Sequence, residues 1–434
     1  MFGFREQRLA GFEAEFHLID GKGLVSDKAD VIIKEMTGQA KKECAKGMIE
    51  IASKPYALLA DSMGDLLEKI RLLVSAAEKH MLHVYPYSTY PGSFDPEMRK
   101  EAAYRIKERI FGKERWKIAG RCTGFHFHYT LPRGIFSRFS RNMRLLLNPS
   151  LNQRTIDSYN MMVAMDPALC AFLQSSPFYQ GRLCGKDARM MFYRGNRLFG
   201  VEGLYSEFQE FGALPPYRHT VTSLIYQAED RFGEWSRKMR ILRLRSNALS
   251  VYGAALDTNW SPIKVNSIGT FEMRGMDMST FSNMLSASVI IVHVLKEIGE
   301  GRLTVSFSES ADEPFRTEDG VLFIPPFDFV DRLQLHSAKR GMGSKEVRRY
   351  CKALLDFCSI SPANRKLLQI FEKMTEDRET VADRIIKKAR GMGATESLEN
   401  EQAAELSLKF ASGMAKETEK AEKLISRLSN IQYG

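Results

Sequence analysis

Four stretches of the chain alternate apolar and polar positions with a period of two, the signature of half-buried strands. In Gly11–Asp20, Phe12, Ala14 and Phe16 share one face, and Glu13, Glu15 and His17 share the other. In Met48–Ala52, Glu50 lies opposite to Ile49 and Ile51, with Pro55 closing the strand. In Arg121–Leu131, His126 and His128 lie opposite to Phe125, Phe127 and Tyr129. In Ser267–Met276, Thr270, Glu272 and Arg274 lie opposite to Phe271 and Met273. Short strands are also expected at Leu303–Phe307 and Val321–Ile324. A helical period covers Asp30–Met36, Ser62–Val84, Thr155–Phe172, Tyr217–Leu244 and Ser279–Ile298. Asp95-Pro96 predicts a helix start, with Pro at the first helical position and Gly112 as the stop. From about Asp331 strand signals vanish, and Lys, Arg, Glu and Ala dominate. Helices are expected there, with breaks near Gly341–Gly343, Ser361-Pro362 and Gly391–Gly393. The organisation predicted is a main domain over 1–330 and a helical C-terminal region over 331–434.

Composition narrows the class. The chain has 434 residues and 44% hydrophobic content, enough for a large core. Its net charge is +10, but 63 basic against 53 acidic residues make a mixed surface and not a polybasic tail. That suits anionic partners, an ATP-handling enzyme included. No RNP-like, zinc-finger or basic-zipper signature occurs, so no nucleic-acid partner is expected. The six cysteines, Cys44, Cys122, Cys170, Cys184, Cys351 and Cys358, form no C-x-x-C pair. Neither a zinc site nor a disulfide framework is indicated, and a reducing cytoplasm is the expected location. Met1–Arg8 lacks an apolar h-region, and the run Val289–Val292 is cut by His293 and Lys296. Neither a signal peptide nor a membrane span is expected.

The polar faces of the strands carry the candidate chemistry. Glu13 and Glu15 stand about 7 Å apart along a strand, so a positive charge is expected between them. Alone, that pattern also fits a solvated edge strand. If the four strands share one sheet, Glu13, Glu15, Glu50, Glu272 and His126 collect on one face. Such a cluster requires divalent cations to be tolerable. Carboxylate-dominated ligation selects Mg²⁺ or Mn²⁺ over zinc. A carboxylate cage with an Arg beside it is a device for holding nucleotide phosphates. There is no G-x-x-x-x-G-K-[ST] loop.

An ordered set of motifs resembles the type-2 glutamate–cysteine ligase family, the bacterial and archaeal carboxylate–amine ligases. They are Gly11-Phe-Glu-Ala-Glu-Phe, Met48-Ile-Glu-Ile-Ala-Ser, Gly124-Phe-His-Phe-His, Ser176-Pro-Phe-Tyr-Gln-Gly181 and Gly269-Thr-Phe-Glu-Met-Arg-Gly-Met-Asp277. The resemblance implies an α+β fold like that of glutamine synthetase. Its curved, largely antiparallel sheet binds ATP and metals on a polar concave face, with helices outside. The implied reaction is ATP-dependent: a substrate carboxylate is phosphorylated to an acyl phosphate, which an amine attacks to form a γ-glutamyl-type amide, releasing ADP and phosphate. By position, Glu13, Glu15, Glu50, Glu272 and His126 match metal ligands, and Glu43 falls where the family has an Asp. Arg274 matches the residue that contacts the phosphate being transferred, which makes Glu272 and Arg274 the catalytic candidates. His128 is read as a spare polar residue in the pocket.

The sequence departs from the family in three places. A Glu four residues before Glu50 is replaced by Lys46. The family's Trp-Asp-x-Arg-Pro becomes Trp260-Ser-Pro-Ile263-Lys264, leaving Lys264 to supply a charge. The Arg after the Ser-Pro-Phe segment comes one residue early, at Arg189. Lys264 and Arg189, with Arg274, are the expected nucleotide contacts. The expected partners are a small acid and an amine, with homo-oligomerisation left open. Two other readings stand beside the ligase: a phosphotransferase on a small carboxylate or guanidino compound, and a degenerate, non-catalytic binding protein.

Overall fold

A computed structural model of the chain describes residues 8–195, 197–244, 251–359 and 362–428. Residues 1–7, on which the reading of the N-terminus rests, lie outside the described residues, as does Ser361 of one expected break.

One seven-stranded sheet organises the molecule. Its strands are β1 (Ala10–Asp20), β2 (Ala40–Lys42), β3 (Met48–Ala52), β4 (Leu82–Tyr85), β5 (Gly124–Thr130), β6 (Ile263–Asn266) and β7 (Thr270–Asp277). They run in the order β6-β7-β5-β1-β3-β2, and β4 pairs with the C-terminal half of β1. Every pairing in this sheet is antiparallel. β1 is central: its eleven residues pair with β3 over Glu13–His17, with β5 over Ala10–Ala14 and with β4 over His17–Asp20.

The apolar faces meet as the alternation requires. Phe12 of β1 stacks on Phe125 of β5, with ring centroids 5.7 Å apart, and Phe127 packs beside them at 5.6 Å. These rings and Phe271 are fully buried, each contributing about 1.5–3 kcal/mol of burial free energy. Helices α1 (Ala29–Glu35), α2 (Leu59–Lys79), α5 (Pro149–Leu173), α6 (Val221–Ile241) and α7 (Phe281–Gly299) belong to the same core. Helix α7 is long and apolar enough to cross a membrane by length and composition alone. Of its apolar window, 83% is buried inside the protein, the pattern of a core helix.

Two local expectations are corrected. The helix expected over Ser62–Val84 ends at Lys79, because Met81 adopts a left-handed φ of 56° and the chain turns into β4. The helix expected from Asp95 begins only at α3 (Ala102–Phe111), which α4 (Lys113–Gly120) follows. Before it, the backbone of Glu97 and Arg99 pairs with Lys46 and Cys44 (2.9 and 2.8 Å) in place of helical bonds. Gly112 does stop that helix, at a φ of 91° that favours glycine. The hairpin partner of β7, strand β6, is too short and too close to Pro262 to read as a strand in sequence.

After a small three-stranded sheet, β8 (Thr304–Phe307), β9 (Arg316–Glu318) and β10 (Val321–Ile324), the remaining described chain is helical. The helices over Phe327–Cys358, Pro362–Asp377 and Met414–Leu428 pack onto the common core, whereas Val381–Gly391 and Asn400–Ala411 form a separate cluster with Ile19, Tyr85 and Phe178. The Tyr350 hydroxyl donates to the Ala164 carbonyl of α5 at 2.7 Å, and Phe371 stacks on Phe172 at 4.2 Å.

Candidate active site

The polar face of the sheet forms the floor of a cavity of about 210 Å³. That is room for several ion- or water-sized guests, at about 30 Å³ per water. Antiparallel register places the chemistry in cross-strand pairs. Glu13 sits opposite His126, Glu15 opposite Glu50, and Glu272 opposite both His128 and Lys264. The alternation that buries the phenylalanines therefore also aims these groups at one space.

The charged groups fall into two sets, each with its donor atoms within 4.8 Å of one another. Glu13, His128 and Glu272 make the first; Glu15, Glu43 and Glu50 make the second. His126 stands between them, its Nδ1 3.2 Å from Glu13 and its Nε2 3.6 Å from Glu15. All six residues expected as metal ligands are thus brought together, and His128 joins them at 3.4 Å from Glu13. The buried Nε2 atoms of His126 and His128 have no hydrogen-bond partner. The convergent carboxylates fit hard divalent cations, and an unpartnered imidazole nitrogen beside them is available as a further ligand.

Electrostatics differ between the sets. Burial opposes ionisation of Glu13, but His126 and His128 outweigh it and hold the carboxyl well below its usual range. Glu272 is lowered too: burial is overcome by Lys264, whose Nζ is 3.0 Å away, and by Arg274, 3.4 Å away. In the second set burial prevails. It raises Glu43 to about 7, helped by the charge of Glu15. It raises Glu50 to about 8, helped by Glu13 and Glu43, even though Lys41 sits 2.8 Å away.

The basic residues take distinct places. Arg274 and Lys264 both line the cavity beside Glu272. Ile263 faces the core, so the charge at this hairpin comes from Lys264. Arg189 also lines the cavity, but it donates to the carbonyls of Gly275 (3.1 Å) and Arg274 (3.0 Å). It braces β7. Gly124 accommodates it: a Cβ there would meet the guanidinium, and the Gly124 N–H donates to Glu15 at 2.7 Å. Lys46 lies off the cavity, paired with Glu97 at the surface.

Sequence reasoning missed part of the lining: Tyr104, Lys107, Tyr193 and Asn266. Asn266 donates to Glu272 at 2.5 Å from the far end of the β6–β7 hairpin. Tyr104 and Lys107 lie on α3, where a charged residue reads as solvated helix surface. Only the fold shows that this helix turns them towards the sheet.

The fold is shared with solved ligase structures. The chain aligns with glutamate–cysteine ligase from Francisella tularensis in complex with AMP, with TM-score 0.62 and 11% identity, over 99% of this chain and 96% of that one. It also aligns with a bifunctional glutathione synthetase from Pasteurella multocida, with TM-score 0.58 and 14% identity. That alignment covers 94% of this chain but only 53% of the synthetase, so the chain spans about half its length. At these identities the likeness is one of fold. The sequence profile of glutamate–cysteine ligase family 2 matches residues 9–300, and the chain belongs to that family. No curated protein matches it by sequence.

Proposed function

We propose that the chain is an ATP-dependent carboxylate–amine ligase that forms a γ-glutamyl-type amide, with glutamate as the acid. The observation that carries this reading is the pair of three-ligand sets on one sheet face with Arg274 between strand and cavity. Glu13, His128 and Glu272 would hold one Mg²⁺ or Mn²⁺, and Glu15, Glu43 and Glu50 another, with His126 shared. Bound there, such ions neutralise charge on a transferring phosphoryl group.

The residues of the chain do the rest. Arg274, always cationic, stabilises the equatorial oxygens of the γ-phosphoryl group as it passes to the acid. A carboxylate oxygen forms the new P–O bond, the bond to the β-phosphate oxygen breaks, and ADP leaves. The amine nitrogen then attacks the acyl carbon. The C–N bond forms, the C–O bond to phosphate breaks, and the amine loses a proton. Lys264 holds Glu272 ionised, and Arg189 fixes the backbone of Arg274. The β5 and β7 platform keeps these groups rigid, so positioning supplies much of the rate.

The test is ADP release with ATP and Mg²⁺ across glutamate paired with amines and amino acids. Release that requires both acid and amine is expected, and Glu272→Ala should abolish it. A stable phosphorylated product formed without amine would make the protein a phosphotransferase. Nucleotide binding without turnover or metal dependence would make it a binding protein.

A further inference from the structure

We propose that a second cavity, on the far side of the sheet, binds an arylalkyl monocarboxylate: an aromatic ring on a short chain that ends in one carboxylate. This cavity holds about 220 Å³ and lies among β1, α2, α7 and the helices Val381–Gly391, Asn400–Ala411 and Met414–Leu428. Strand parity turns Phe16 of β1 into its floor and Glu15 into the candidate active site. Among the described residues the two cavities share no lining residue. The floor is apolar and rich in rings: Phe16, Ile70, Phe281, Met284 and Phe410 line it and are all buried. Tyr87 meets Phe410 edge to face, with ring centroids 4.9 Å apart. Such a corner suits an aromatic guest, because rings favour tilted and offset neighbours, and the pliable Met284 side chain adapts to its outline. A dry apolar cavity of about 150 Å³ is enough for benzene, so this one admits a ring with a short chain attached.

The rim is cationic. Four exposed lysines, Lys388, Lys409, Lys416 and Lys420, line the mouth against one acid, Glu417. Glu417 pairs with Lys420 at 3.0 Å, and Lys409 pairs with Glu405 at 2.5 Å. Among the described residues Lys388 and Lys416 make no ion pair. The Lys388 ammonium lies 4.7 Å above the ring of Phe410, so a cation and the aromatic floor meet at one point. Helix α7, nineteen residues long, begins at this cavity with Thr280 as its N-cap, and its positive end adds to the field an anion meets there. A free inorganic anion would leave the floor empty, and a neutral ring would leave the lysines unused. A ring below and one carboxylate at the mouth use both.

The experiment is calorimetric binding of 4-phenylbutyrate to the full chain, beside 4-phenylbutanol, which lacks the charge, and butyrate, which lacks the ring. One 4-phenylbutyrate per chain is expected. The alcohol should bind about 5-fold more weakly, the worth of exposed charges, and butyrate about 10-fold or more, the worth of a buried ring. A variant carrying both Lys388→Gln and Lys416→Gln should bind the acid no better than the alcohol and leave the alcohol within about two-fold. High salt should erase the same preference in the wild type, which tests the charges without any substitution. Binding should persist with Mg²⁺ and a saturating non-hydrolysable ATP analogue present, since the two cavities are separate. Equal binding of acid and alcohol by the wild type, a preference that survives in the double variant, or displacement by the ATP analogue overturns the proposal. Thermal melting of the variant separates lost binding from misfolding. Because no turnover is read, failure of the ligase reading shows in the ADP-release screen and leaves this binding untouched.

Discussion

The two ligand sets use the same residue types on the same sheet face, yet they are electrostatic opposites. Glu13 and Glu272 stay ionised because the protein supplies its own cations: two histidines for one, Lys264 and Arg274 for the other. Glu15, Glu43 and Glu50 are all raised by burial, and Lys41, 59% exposed, is too solvated to compensate. Repulsion among three buried carboxylates is tolerable only when they are protonated or when a cation joins them. The first set is thus pre-charged by the fold, and the second waits for an ion. The contrast assigns the sets different debts to stability and to metal.

Removing a carboxylate should therefore act oppositely in the two sets. Glu272→Gln leaves Lys264 and Arg274 buried without their shared anion. We expect turnover to fall by at least about 100-fold, as when a transition-state contact is lost, and the metal-free protein to melt lower. Glu50→Gln relieves repulsion, so the metal-free protein should melt at the same temperature or higher. Its Mg²⁺ requirement should rise by about 10- to 100-fold, the range seen when support for a metal site is removed. If both variants destabilise the metal-free protein alike, the two sets are not opposites.

The pH dependence sharpens the same contrast. Glu43 and Glu50 take up protons in the folded state at about 7 and about 8, above the usual carboxylate range. Between about pH 5 and 8 the folded state then holds more protons than the unfolded chain, so the stability of the metal-free protein falls as pH rises. Glu13 and Glu272 are depressed, so their contribution is present above the ordinary carboxylate range and is lost as pH falls below it. Melting in EDTA should peak near pH 5 and drop by a few degrees, on the order expected for about 1–2 kcal/mol, towards pH 8. Saturating Mg²⁺ displaces those protons and should flatten that drop. A flat metal-free profile would mean that the second set is neutralised by some other group.

What was legible in the sequence follows from the reach of each signal. Period-two alternation put Glu13, Glu50, His126 and Glu272 on polar faces, because on a strand a face is a matter of parity. It could not say which strands pair, so the meeting of Glu272 with His128, opposite one another in register, was invisible and His128 was set aside. Nor could it place Lys107, since helical periodicity gives a face relative to Ile106 and Ile110 but not what that face meets. The brace made by Arg189 was hidden for another reason. Its partners are carbonyls, which every sequence has, and only Gly124 hints that a side chain must pass close by.

The smallest effect is expected at the departure that looked largest in the sequence. Lys46 reverses a charge four residues before Glu50, which places it by numbering in the carboxylate-rich set. In the structure it is not part of that set. Its backbone N–H donates to the Glu97 carbonyl at 2.9 Å, and its ammonium pairs with the Glu97 carboxylate, with 40% of the side chain exposed. The Ala45–Met98 bridge beside it turns the chain so that Glu43 enters the cavity and Lys46 faces outward. A solvated pair of this kind contributes little to stability. Lys46→Glu sets two carboxylates side by side at the surface, where water and salt screen them. Turnover and Mg²⁺ requirement should each stay within about two-fold, and the small loss of melting temperature should shrink at high salt. If the Mg²⁺ requirement changed tenfold, Lys46 would belong to the second set, and the set's charge deficit would be smaller than Glu43 and Glu50 indicate.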